Sequence, residues 1–259
     1  MTGFVQQVTP LILTFNEEDN IERTLAPLGW AREIIVIDSG STDATLSILD
    51  CDSRIRVVTR AFDSFARQCN FGLSQIRTPW VLSLDADYVI SPDLAAEIAS
   101  LDPHAPVAGY QARFVYRIFG RSLRATLYPP RTILYRVDRA RYRDEGHGHR
   151  VEIDGSVKAL AAPIFHDDRK PIDRWFLSQI GYARREADHL LGSDRTTLGR
   201  IDRFRLAGWP APIIILFYTL FVRGCILDGW RGIYYSFQRT IAELMLAVEL
   251  LDRHLRRAR

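Results

Sequence analysis

Four short apolar runs divide the first hundred residues at regular intervals, and each is followed by a segment of helical periodicity. The runs cover residues 8–13, 33–37, 55–58 and 80–84. Between them Ile21, Leu25 and Leu28, then Leu46 and Leu49, then Phe65, Cys69, Leu73 and Ile76 recur at helical spacing. Runs that are apolar on both faces read as buried parallel strands, and repeated βα units of this length require right-handed crossovers. The expectation is a doubly wound, mostly parallel α/β sheet. Such sheets bind ligands at the carboxyl ends of their strands.

The polar residues at those ends carry the chemistry. Thr14, Phe15, Asn16 and Glu17 follow the first run, and Asp38 ends the second. Asp85 and Asp87 close the fourth, one residue apart. Hard oxygen pairs of this kind suit Mn2+ or Mg2+ completed by phosphate oxygens and water, the chemistry of a nucleoside diphosphate. Asn16 is expected to cap a helix whose first turn holds Glu17, Glu18 and Asp19. Ser91-Pro92 is expected to start another, which bears Leu94, Ile98 and Leu101.

The pattern changes after residue 105. Shorter strands are expected at 107–116, 132–137, 150–153 and 157–165, with Asp154-Gly155 as a hairpin turn. Residues 113–150 contain ten arginines against Asp138, Asp144 and Glu145. From Pro171 onward the chain reads as helical, which predicts a catalytic domain over 1–170 and a helical extension over 171–259. Residues 213–222 are almost wholly apolar but too short to span a bilayer, which needs about 20 residues. Aromatic and arginine flanks over 209–235 suit a helix lying in a membrane interface. A buried helix or a homodimer contact is the alternative. The formal net charge of +3 is too small to indicate a nucleic-acid partner. Three scattered cysteines argue against a disulfide framework and for a reducing compartment. The first residues lack a basic segment leading into an apolar run, so the expected location is cytoplasmic.

In order and combination these motifs resemble family 2 glycosyltransferases of the GT-A fold. The matching pieces are Leu13 through Ile21, Ile34 through Asp43, Ala66 through Gly72, and Trp80 through Asp87. Tyr128-Pro129 with Arg131, Asp144 through His147, His166-Asp167-Asp168 and Leu227 through Trp230 are similar, more loosely, to the subgroup that builds lipopolysaccharide core and other envelope glycans. The resemblance implies a UDP-sugar donor and a glycan or lipid-linked acceptor at the inner face of the cytoplasmic membrane. It implies that Asp38 binds the uracil ring, with Thr14, Phe15 and Asn16 as pocket wall and Glu17 and Arg67 nearby. Asp85 would face ribose and ion, Asp87 would ligate the ion, and His166 matches a histidine near metal and pyrophosphate.

Inverting transfer needs a general base to take the acceptor's proton, and charge neutralisation for the leaving diphosphate. The base must lie across the sugar from the ion, so it should come from the second half. Glu145 is the first choice and Asp144 the second, with His147 and His149 as helpers. Here Glu145-Gly146-His147 departs from the His-Glu dipeptide common in the subgroup. Arg131, Arg136 and Arg150 suit a diphosphate or an anionic acceptor. A nucleotidyltransferase is the rival enzyme, but it needs a glycine-rich basic loop after the first strand, where this chain is acidic. A membrane-associated scaffold without turnover is the remaining alternative.

Overall fold

The computed structural model of the chain describes residues 3–145, 148–194 and 196–257, with the backbone alone at 144, 145, 148 and 149. Strands β1 (Val8–Thr14), β2 (Ile34–Asp38), β3 (Ile55–Thr59) and β4 (Trp80–Asp85) pair in parallel in the order β3-β2-β1-β4. Beyond β4 the sheet continues with β9 (Arg131–Arg136), antiparallel to both its neighbours, then β6 (Gly109–Ala112) and β12 (Val157–Ala159). This is the doubly wound, mostly parallel sheet read from the sequence.

One face packs Ile12, Val36, Leu82 and Leu84 into the larger core. On the other, Leu11, Ile35, Ile37 and Val81 meet helix α3 (Phe65–Ser74). A Cβ at Gly72 would come within 2.7 Å of Leu11, so α3 lies this close to β1 because residue 72 has no side chain.

A second sheet decides where the site forms. Its order is β5-β13-β7-β8, from β5 (Tyr88–Ile90), β13 (Ile164–His166), β7 (Phe114–Ile118) and β8 (Arg121–Ser122). A two-stranded ladder joins β10 (Ala140–Glu145) and β11 (Gly148–Ile153).

Three local expectations are corrected. The apolar stretch 157–165 is two strands in different sheets, because β12 adds to β6 while β13 pairs with β5 and β7. Asp154-Gly155 makes no hairpin, since β11 and β12 do not pair. Gly155, at φ 135°, instead lets the chain pass Ala108, whose side chain a Cβ would meet at 2.7 Å. Asn16 caps no helix: α1 (Ile21–Leu25) starts after Asn20. Asn16 has φ 55°, and its side-chain oxygen accepts from the Thr42 amide at 2.7 Å. Loop-to-loop bonding has displaced helix capping.

The chain falls into two compact units. The first holds the sheets and runs through Lys170, apart from 123–125, 145 and 148, which group with the second. The second is built mainly on residues 123–125 and on Pro171 onward. It contains α5 (Ile172–Gly192), α6 (Arg200–Arg205), α7 (Pro210–Phe217), a π-helical turn (Tyr218–Val222) and α8 (Trp230–Arg257). Ala183, Ala187 and Leu190 of α5 pack against Leu246 and Leu250 of α8. Arg205 bridges Glu186 and Glu243 beside them, at 2.7 Å to each.

Candidate active site

Register brings the strand-end residues together. Thr14 lies opposite Asp38, and Leu13 lies opposite Asp85. Asp38 is fully buried, and both its oxygens are occupied by the chain itself. The Thr14 and Ser41 hydroxyls donate to one oxygen, at 3.1 and 2.5 Å. The Gly40 and Ser41 amides donate to the other, at 2.8 and 2.9 Å. Asp38 therefore shapes the loop after β2. Phe15, by contrast, is 52 % exposed beside that loop.

Asp87 occupies the turn between β4 and β5. Thr24 holds this turn by donating to the Ala86 carbonyl at 2.6 Å. Strand pairing sets His166 against Tyr88, so the imidazole reaches Asp87, with Nε2 3.0 Å from Oδ2. Both side chains are nearly buried, at 12 % and 14 % exposure. Burial works against the Asp87 carboxylate, but His166 and then Lys170 bring its pKa down to about 2. Burial likewise opposes imidazolium at His166, and Asp87 overrides it, so the histidine's pKa is raised. Tyr88, Tyr116 and Tyr128 surround the imidazole, with ring centroids 5.4, 4.3 and 5.4 Å away. Arg131 lies over the Tyr128 ring at 4.5 Å and feels the charge of Asp85.

Two atoms in this pair have no hydrogen-bond partner although buried: Oδ1 of Asp87 and Nδ1 of His166. Leaving such a group unsatisfied costs about 1–3 kcal/mol. An aspartate oxygen in that condition, next to an imidazole, fits a divalent cation. Asp85 completes no three-ligand cluster with them, and no group of three such ligands forms among the described residues. The donor set therefore suits an ion held by the Asp87 carboxylate and the neighbouring imidazole and completed by substrate phosphate and water.

Behind the pair lies a charged network that joins Glu17, named from the sequence, to Lys170, Asn20 and Arg23, which the sequence reading missed. Lys170 reaches Glu17 at 2.7 Å and Asp168 at 3.7 Å. Asn20 donates to Glu17 and Asp168, and Arg23 donates to Asn20 and to the Asp167 carbonyl. Burial disfavours the ammonium, but Glu17 and then Asp87 hold Lys170 well above the usual lysine range. One signal was available: Lys170 is one of only two lysines in the chain. Lys170→Met should lower the unfolding free energy by about 3–5 kcal/mol, because it strands buried carboxylates. Urea midpoints check this, and a change below about 1 kcal/mol would make the network dispensable.

The remaining sequence-derived residues fare differently. Arg67 pairs with Asp63 at 3.7 Å, and its side chain is 74 % exposed. Asn70, on the same helix, bonds both the amide and the carbonyl of Tyr142, at 2.9 and 3.0 Å. It thereby fastens β10 to α3. Asp144 and Glu145 end β10, and their side chains lie outside the described residues, as does that of His149. His147 lies outside them altogether.

A mostly parallel sheet that gathers carboxylates at its carboxyl edge is the architecture of the GT-A fold. The sequence model of glycosyl transferase family 2 matches residues 11–154, and the chain belongs to that family. It is 25 % identical to the lipopolysaccharide core biosynthesis glycosyltransferase LpsC of Rhizobium meliloti, over 97 % of this chain and 94 % of that one. An uncharacterised glycosyltransferase of Rickettsia bellii is 33 % identical over 36 % of this chain and 32 % of its own length. Among solved structures the fold is similar to that of the mannosyltransferase PcManGT from Pyrobaculum calidifontis, solved with GDP-Man and Mn2+. That match has TM-score 0.52 and 17 % identity, and covers 95 % of this chain and 87 % of that one.

Proposed function

We propose that this glycosyltransferase moves a hexose from a UDP-sugar, with inversion, to a hydroxyl of a lipid-linked or envelope glycan. The observation that carries the reading is the unpartnered Oδ1 of Asp87, buried beside His166 at the carboxyl edge of the sheet. Asp87 and His166 would hold Mn2+ or Mg2+, with Asp85 near the ribose. The ion would neutralise the diphosphate as it departs. Arg131 adds positive charge on the same edge, and Thr14, Phe15, Asn16 and Glu17 line the nucleoside end. Glu145, or Asp144 one residue earlier, takes the proton of the acceptor hydroxyl as its oxygen attacks the anomeric carbon. The likeness to LpsC supports an envelope-glycan acceptor. Mn2+ in the mannosyltransferase crystal supports a divalent ion.

The test is nucleoside diphosphate release from a panel of UDP-sugars and GDP-mannose, with Mn2+, Mg2+ or EDTA. Metal-dependent release from a UDP-sugar is expected. Release confined to GDP-mannose would replace the uridine assignment, and release unaffected by EDTA would remove the ion.

The proposal extends to the inner face of the cytoplasmic membrane. No helix among the described residues is long and apolar enough to cross a bilayer. The α7 segment nevertheless exposes Ile214, Phe217 and Phe221 by more than half, with Trp209 and Val222 still more open. These side chains suit burial at the level of lipid headgroups. Replacing Ile214, Phe217 and Phe221 by serine should cut flotation with anionic vesicles at least about tenfold. Unchanged flotation of the folded variant would exclude this face.

A further inference from the structure

Helix α8 carries apolar side chains on two opposite faces, and only one of them is covered. Gly232, Tyr235, Ser236, Glu243, Leu246 and Leu250 are buried, and Leu246 and Leu250 pack on α5. The other face holds Phe237, Leu244, Val248, Leu251 and Leu255, each between 51 % and 58 % exposed. Ile241 falls between the first two and is half-buried.

The spacing of this open stripe is diagnostic. From Tyr234, half-buried like Ile241 and bonded to Gln238, it runs 234, 237, 241, 244, 248, 251, 255, alternating three and four without a break. Trp230, at 83 % exposure, continues the register one step upstream. That is a period of 3.5 residues, the repeat of a helix wound on another helix. On a straight helix such a stripe drifts about 20° per heptad, or roughly 80° along the 28 residues of α8. A flat surface cannot follow that drift, whereas a supercoiled partner helix does.

The flanks point the same way. Gln238, Thr240, Met245 and Ala247 border the central stripe and carry no charge. Interfacial membrane helices place lysine and arginine there. Arg239, Glu243, Glu249 and Arg253 fall at heptad positions turned away from the stripe, and Glu243 and Arg253 are tied to Arg205 and Asp188. Two copies of α8 laid antiparallel set Trp230, Tyr234 and Phe237 of one against Leu255, Leu251 and Val248 of the other. The three outer layers each pair an aromatic with an aliphatic, Ile241 meets Leu244 in the middle, and Arg231 comes beside Asp252 of the other copy, whose partner in its own chain is the exposed Arg256. Stripe and flanks are therefore complementary to themselves.

We propose that the open face of α8 docks a second copy of this chain through a coiled-coil seam from Tyr234 to Leu255. The seam shares no residue with the carboxylate site, so this reading stands or falls independently of the donor and acceptor assigned above.

Sedimentation velocity of the intact chain tests it. The expected mass is twice the 29.7 kDa of one chain. Leu244→Asp with Leu251→Asp should return the mass to a single chain, while far-UV circular dichroism and the thermal response to UDP stay as in the parent. Should the aspartates impair expression, Leu244→Gln with Leu251→Gln serves the same purpose. A parent chain that stays single up to about 100 μM overturns the proposal. So does a dimer that survives the substitutions. A single-chain parent whose vesicle binding is lost on substitution gives the face to lipid, and overturns it as well.

Discussion

Asp87→Asn should reduce sugar transfer about 10³-fold or more while leaving the protein folded. The substitution keeps the size of the side chain and one oxygen able to meet His166, 3.0 Å away in the parent. It removes the negative charge and the anionic character of Oδ1, the buried oxygen without a partner. Electrostatic groups aimed at developing charge contribute on this scale, and 10³ in rate corresponds to about 4 kcal/mol of barrier. The measurements are diphosphate release under saturating Mn2+ and the Mn2+-dependent thermal shift of the UDP complex. Both should fall together. Transfer within about threefold of the parent would take Asp87 out of the mechanism. A lost thermal shift with intact transfer would place the ion elsewhere.

The second large effect is on stability. Asp38→Ala should lower the melting temperature by roughly 10 °C even without nucleotide. The carboxylate accepts from the Thr14 hydroxyl, the Ser41 hydroxyl and two amides, in a position with no solvent exposure. Losing this charged acceptor strands the buried Thr14 hydroxyl and three part-buried loop donors, and costs about 4 kcal/mol. At this chain length each kcal/mol shifts the midpoint by about 2–4 °C. Asp38→Asn should do nearly as badly, because an amide presents hydrogens to a site filled with donors. Calorimetry on the free protein decides the matter. An unchanged midpoint combined with lost UDP binding would make Asp38 a base-contacting residue and not a loop anchor.

These two aspartates show what the sequence discloses and what it withholds. Both stand out in the chain, because a strand of Ile and Val or of Leu and Val runs straight into a carboxylate. Periodicity places the first four strands to within a residue at each end, and the order of the motifs points to the fold. The local role is a different matter. Whether a carboxylate near a strand end faces solvent or is consumed by neighbouring amides depends on a loop conformation that no spacing encodes, as Asn16 also illustrates. The pairing of Asp87 with His166 depends on β13 crossing into a second sheet. The apolar stretch 157–165 reads as one strand, so that break is invisible until the sheets are assembled. Lys170 and Asn20 escape for the same reason. They lie about 150 residues apart in sequence, and only folding makes them neighbours of the same carboxylates.

The grip of Asn70 on the Tyr142 backbone has a consequence for how such an enzyme diversifies. One amide side chain, through two hydrogen bonds, tethers the strand that leads to Asp144 and Glu145 to helix α3. Downstream of that tether, sequence change can accumulate residue by residue without loosening the helix layer packed on the parallel sheet.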